Sequence, residues 1–268
     1  MKKTTSNLTK FALGAFAFGA LSSANATLVS YESFDYPPPG DPFLDGSNGG
    51  LGFSSSWRGS GLIDAGSLTG TAGTLTPGGN KGLMDINGRA WRNLSTSYND
   101  SVTQTIYVSL LMRDGTLNAT DYTVFEMFNG DDGDPSRAFQ LGLIAGDGPN
   151  DGNIYSKVNN TALSSSLGAA TTNSDFYLIQ FDLVNGADDT VSVWRNPGIT
   201  PGLADGTITV PSIAFDRIAF AAFGGNPDQA LDEFRLGTEL VDVLAVPEPT
   251  SASLVILVMG ATLLRRKR

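Results

Sequence analysis

Short runs of alternating apolar and polar residues, each closed by a Gly, Asn or Asp turn, recur from residue 101 to residue 236 and call for strands rather than helices. Residues 101–112 (SVTQTIYVSLLM) are rich in β-branched and aromatic side chains. Residues 122–128 (YTVFEMF) stop at Asn129-Gly130, and 137–144 (RAFQLGLI) stop before Gly146-Asp147-Gly148. Residues 176–184 (FYLIQFDLV) meet Asn185-Gly186 and are followed by 190–195 (TVSVWR), a pairing expected to form a hairpin. Residues 213–223 and 231–236 (LDEFRL) complete the series. The composition agrees: 32 Gly residues, only 16% charged residues and few Glu favour many turns over long helices. Many short strands at regular spacing predict a sandwich or jelly roll.

The chain has no Cys and no His, which excludes disulfides, thiolate metal sites, Cys nucleophiles and imidazole bases. Its net charge of −10 understates the acidity of the middle. Lys2, Lys3 and Lys10 open the chain, and Arg265, Arg266, Lys267 and Arg268 close it. Of 17 basic and 27 acidic residues, 10 basic and 26 acidic ones therefore lie between the two ends, a balance near −16. Such a surface repels phosphate backbones, so no nucleic-acid partner is expected.

Both ends look like addresses. Residues 1–26 have the layout of a signal peptide: a basic start, an apolar stretch over 11–21 (FALGAFAFGAL), and small residues at Ala24 and Ala26 where signal peptidase would cut. At the other end, Val246-Pro247-Glu248-Pro249 is held extended by its prolines. An uncharged apolar segment over 250–264 follows, then Arg265, Arg266, Lys267 and Arg268. Fifteen helical residues reach roughly 22 Å against a hydrocarbon core of about 30 Å, so a membrane helix there would be short. The basic end should stay cytoplasmic and leave the large domain outside.

This three-part tail, residues 246–268, resembles the PEP-CTERM sorting signal of Gram-negative bacteria, which also carries an ice-binding-protein C-terminal label. The resemblance implies an exosortase-like membrane enzyme as partner and processing at Pro247, Glu248 and Pro249. Between the tags, several motifs resemble concanavalin A-like, laminin-G-type jelly rolls. They are Tyr31-Glu32-Ser33-Phe34-Asp35-Tyr36, Gly50-Leu51-Gly52-Phe53 before Trp57, Tyr107-Val108-Ser109-Leu110-Leu111, residues 181–189 (FDLVNGADD), and the closing Asp232-Glu233-Phe234-Arg235-Leu236-Gly237. That likeness implies one β-sandwich domain over residues 27–245.

Related folds include glucanases, whose retaining members set two carboxyls about 5–5.5 Å apart from a Glu-x-Asp-x-x-Glu strand. Here Glu32, Glu126, Glu233, Glu239 and Glu248 are too scattered for that motif, so no catalytic residue is assigned. Two Asp- and Gly-rich loops, 129–134 and 147–153, miss the EF-hand spacing and read first as turns. Asp131, Asp132 and Asp134 are the candidate calcium ligands. Trp57, Trp91 and Trp194 suit either packing or sugar stacking. The leading expectation is an exported, non-catalytic surface or matrix protein with exopolysaccharide as candidate ligand. A carbohydrate-active enzyme and an ice- or surface-binding protein are the alternatives.

Overall fold

The computed structural model describes residues 28–36, 43–70, 79–84, 87–114, 122–130, 136–144, 152–159, 166–224 and 229–244. They form an all-β sandwich of two antiparallel sheets. The first has eight strands: β1 (Leu28–Glu32), β3 (Leu62–Ala65), β4 (Asn80–Met84), β6 (Gln104–Arg113), β10 (Ser174–Leu183), β11 (Asp189–Arg195), β12 (Gly206–Val210) and β14 (Gln229–Gly237). Its order is β12-β11-β10-β6-β14-β4-β3, with β1 also on β14. The second runs β2 (Arg58–Gly59), β5 (Gly88–Tyr98), β13 (Phe215–Phe223), β7 (Tyr122–Phe128), β8 (Arg137–Leu143) and β9 (Tyr155–Val158).

The period-2 pattern places one face of each strand in the shared core. On β10, Tyr177, Ile179 and Phe181 point inward beside Leu110, Val108 and Ile106 of β6, their register partners. Phe125 and Met127 of β7, Phe139 and Leu141 of β8, and Ile218 and Phe220 of β13 meet them from the other sheet. Phe181 stands edge-on to Phe139 at 5.4 Å and lies 5.0 Å from Phe215. Burying each such ring stabilises the fold by about 1.5–3 kcal/mol.

The expected strand over 122–128 is reproduced as β7, and the 176–184/190–195 hairpin is β10–β11, turning at Gly186 with φ +74°. The run expected from 101 begins only at Gln104, because Ser101 belongs to a turn closed by its N–H on Asn99 Oδ1. The run expected from 213 begins at Phe215, and that expected over 231–236 extends over the whole of β14. The eight-stranded sheet also buries part of its outer face. Leu68, Leu111, Phe176 and Leu178 form a second apolar cluster, closed by the single-turn helix α1 (Leu240–Val243) and Leu244. Ser109 Oγ donates to the Val243 carbonyl at 2.7 Å and fastens that turn.

Strand β14 carries two neighbours on one edge. β4 pairs with Gln229, Ala230 and Leu231, and β1 pairs with Phe234 to Gly237. Between them Glu233 takes φ +51°, and the register against β6 shifts. Asp232 closes this bulge by accepting the Leu68 and Glu233 N–H groups.

Candidate functional site

The two sheets differ sharply in charge. All ten basic residues between 27 and 245 lie in strands. The six-stranded sheet holds Arg58, Arg89, Arg92, Arg137, Lys157 and Arg217 against Glu126 and Asp216, a balance of +4. The eight-stranded sheet holds four basic and seven acidic residues, a balance of −3. Arg92 points inward to Glu32, whereas the other five cations of the six-stranded sheet share its outer face. Asp216 sits at a bulge and accepts the Gly130 N–H.

Register turns this face into an ordered row. Lys157 pairs with Gln140, Gln140 with Glu126, Glu126 with Ala219, Ala219 with Trp91, and Trp91 with Arg58. The row crosses all six strands, about 24 Å at the roughly 4.8 Å strand spacing of sheets.

One half of the row is open. Arg58 is exposed, and Trp91, Asn93 and Arg217 are partly buried. The Arg217 guanidinium carbon lies 4.2 Å from the centre of the Trp91 ring and that of Arg58 lies 5.9 Å away. Arg217 Nε donates to Asn93 Oδ1 at 2.8 Å, which fixes the guanidinium over the indole. Both guanidiniums therefore lie over the indole ring.

The other half is closed around Glu126, whose side chain is fully buried. Its Oε2 accepts Arg89 Nε at 2.7 Å, and its Oε1 accepts the Tyr122 hydroxyl at 2.9 Å and Gln140 Nε2 at 3.1 Å. Arg137 Nε lies 2.9 Å from the same Oε1. Gln140 Nε2 also donates to the Tyr122 hydroxyl. Burial and the Glu126 charge push the Tyr122 phenol far above its ordinary value, so it stays neutral. Glu126 forms ion pairs with both arginines, and each of its oxygens accepts at least one hydrogen bond.

Several residues expected to matter lie outside the described residues. These are Ala24 and Ala26, Pro247, Glu248 and Pro249, the basic end Arg265, Arg266, Lys267 and Arg268, and the candidate calcium ligands Asp131, Asp132 and Asp134. The base of the 129–136 loop is described: Asn129 N–H donates to the Ser136 carbonyl at 2.9 Å. Beside it a cleft of about 410 Å³ is lined by Asn129, Arg137, Asn159 and Ser212 among others. Among the described residues no group of three or more acidic side chains is placed to hold a metal ion. No described helix is long and apolar enough to cross a membrane, and residues 250–264 lie outside that set.

The three tryptophans separate. Trp57 is fully buried, stacked on Phe34, with Nε1 donating to Glu32. Trp194 faces out of the eight-stranded sheet and donates to the Gly202 carbonyl at 2.9 Å, while Val191 and Val193 point into the core. Trp91 occupies the basic face. Sequence reasoning did not single out Arg58, Arg89, Glu126, Arg137, Gln140, Lys157 or Arg217 as a group. The available signal was a polar residue inside an apolar run, as at Glu126 in VFEMF and Gln140 in AFQLG.

No protein-family model and no curated protein sequence matches the chain. Its fold is similar to that of an endo-β-1,4-glucuronan lyase from the fungus Trichoderma reesei, with a TM-score of 0.52 and 10% identity over 81% of this chain and 98% of that one. It is also similar to the globular domain of T. cruzi calreticulin, at 0.51 and 12% identity over 90% and 100%. The Emp46p carbohydrate recognition domain is more distant, at 0.43 and 7% identity over 68% and 88%. At such identities the likeness defines a class of fold, the two-sheet all-β sandwich.

Proposed function

We propose that the chain is an exported, non-catalytic surface or matrix protein that binds polysaccharide at the open, Trp91 end of the outer face of its six-stranded sheet. The observation that carries this reading is Trp91, a partly exposed indole on a sheet face, bracketed by Arg58 and Arg217 and flanked by Asn93. The part of the indole left exposed offers apolar contact to the C–H face of a sugar, and the surrounding donors and acceptors suit its hydroxyls. The finer assignment, a concanavalin A-like jelly roll of laminin-G type, rests on the motifs between Tyr31 and Gly237. The glucuronan lyase of similar fold is named for a polysaccharide substrate, which favours the same ligand class.

A binding role fits better than glycoside hydrolysis. Retaining hydrolysis needs two carboxyls about 5–5.5 Å apart. Glu126, the carboxylate at the centre of this face, is closed off by Arg89, Arg137, Tyr122 and Gln140. Export through residues 1–26, sorting by an exosortase-like enzyme at Pro247, Glu248 and Pro249, and calcium at Asp131, Asp132 and Asp134 belong to the same proposal and rest on sequence.

A glycan array probed with the full chain, with and without calcium, tests it. Trp91→Ala should weaken every polysaccharide signal at least tenfold, while Trp194→Ala on the other sheet leaves them unchanged. Glycan binding that survives Trp91→Ala, or release of sugar from any bound polymer, overturns the reading.

A further inference from the structure

We infer that the cleft beside Arg137 is a second subsite of the polysaccharide site, taking an uncharged sugar unit of a chain whose other end is seated at Trp91. The inference rests on the polysaccharide reading above and deepens it, because it sets the charge of the ligand and makes length a condition of tight binding. The cleft opens where three segments meet: the base of the 129–136 loop, the end of β9, and the connection from β12 to β13. Asn159 turns out of β9 at φ +46°, its N–H donates to the Ala138 carbonyl at 3.0 Å, and its Nδ2 donates to the Ser212 carbonyl. These bonds fix two of the walls against each other. The volume, about 410 Å³, falls within the roughly 300–1,000 Å³ of small-ligand sites.

The lining suits hydroxyl groups. The Asn129 amide, the Ser136 and Ser212 hydroxyls and Asn159 Oδ1 have no hydrogen-bond partner among the described residues, and Asn129, Asn159 and Ser212 are exposed. Together they offer donors and acceptors, the mixture that sugar hydroxyls need, whereas an anion calls for donors alone and a metal ion for acceptors alone. Arg137, the charged residue of this lining, is paired with the buried Glu126 at 2.9 Å, so it adds little net charge to select an ionic ligand.

Register joins the cleft to Trp91. Arg137 lies opposite Phe128, Phe128 opposite Arg217, and Arg217 opposite Asn93, which flanks the indole. Three strand spacings, about 14 Å, separate the two places. Phe128 is buried, but the surface between them is not: Arg217 and Asp216 are partly exposed, and Gly130 and Asn129 are exposed. The Gly130 N–H donates to Asp216 Oδ1 at 2.8 Å and closes that surface into one path. A sugar chain can pass along it from the exposed part of the indole to the cleft without displacing a buried side chain. A unit held at one end raises the effective concentration of the next at the other, so a long chain binds more tightly than a short one.

The test is affinity electrophoresis of the full chain through gels containing hydroxyethyl cellulose, laminarin, dextran or alginate. At least one of the three uncharged polymers should retard the protein, and the effect should persist near about 1 M salt, where exposed charges are screened. The hexasaccharide of that polymer should release the protein at a concentration at least about tenfold below that of its disaccharide. Asn129→Ala with Ser212→Ala alters exposed side chains that make no bond within the described fold, so folding is not at risk. The pair should weaken retention about fivefold or more, in the range of two lost hydrogen bonds, and bring the two oligosaccharides close together. Thr209→Ala on the eight-stranded sheet should leave both readings unchanged. Retention that the Asn129→Ala and Ser212→Ala pair does not alter, or equal competition by the two oligosaccharides, overturns the inference and leaves the polysaccharide reading standing. Retention by alginate alone does the same. Failure of every polymer to retard the protein overturns both.

Discussion

Arg92 of the six-stranded sheet and Glu32 of the eight-stranded sheet meet between the layers, Nη1 to Oε2 at 2.5 Å, with each side chain 1% exposed. Tyr36 and Trp57 donate to the same Oε2, and the Phe34 N–H donates to Oε1. The pair joins the start of the domain to the centre of β5. Removing one partner strands a charge in the core, so Glu32→Ala should cost about 3–5 kcal/mol. Glu32→Leu with Arg92→Met should cost clearly less than either single change, because no charge is left unpaired. Urea unfolding of the three variants checks this; additive losses would show that the two side chains act independently.

Stability should fall as pH rises from about 4 to 7. Burial, with Asp175 nearby, pushes the Asp114 carboxyl up to about 7, although Arg195 and Thr123 oppose the shift. Burial likewise raises Asp232 to about 7 against the Leu68 N–H. A raised carboxyl means that the folded protein keeps a proton the unfolded chain releases near pH 4. The folded state therefore loses ground between about pH 4 and 7, by about 2–4 kcal/mol per group, and levels off above. Urea unfolding at pH 5 and pH 8 reads the difference. Asp114→Asn should reduce that slope and be more stable than the parent at pH 8.

Glu126 organises the basic face without being exposed on it. Glu126→Ala leaves Arg89 and Arg137 facing each other without their shared carboxylate and should cost about 3–5 kcal/mol. Glu126→Gln keeps the shape and the acceptor of the Tyr122 hydroxyl, and should cost about 1–2 kcal/mol. Thermal unfolding monitored by circular dichroism distinguishes them; equal losses would indicate that packing rather than charge holds the cluster.

In cells that make an exosortase, the mature protein is expected to begin at Thr27 and to lack the residues beyond the Pro247-Glu248-Pro249 motif. Glu248→Ala should leave the chain in the membrane fraction with Arg268 still present. Mass spectrometry of both termini decides between this and a tail that serves only as an anchor.

How far the sequence could be read depended on what each strand buries. β7 was legible to the residue, since its β-branched and aromatic run, buried on both faces, stops at Asn129-Gly130. β5, the longest strand, was missed because the charged Arg92 occupies an inward position between Ala90 and Leu94, and its partner Glu32 lies 60 residues away. The short edge strands β2, β3, β9 and β12 are too brief to show a period. In β10 the continuous run Phe176 to Ile179 reflects burial on both faces, under the second cluster as well as in the core. The basic face was illegible for a different reason. Its row draws one residue from each of six strands, and only register brings Arg58, Trp91 and Lys157 into line.

The shared edge of β14 has a mechanical meaning. Leu28 of β1 lies opposite Gly237, so the first and last of the described strands meet at one corner. Three residues after Gly237 the chain enters α1, which is pinned to β6 through Ser109. Tension applied beyond residue 244 therefore reaches the interior of the eight-stranded sheet, where β14 is gripped on both edges, before it can peel away a peripheral strand. A polymer held on the opposite face would load the sandwich through its thickness, along the direction in which the packed aromatic core resists compression.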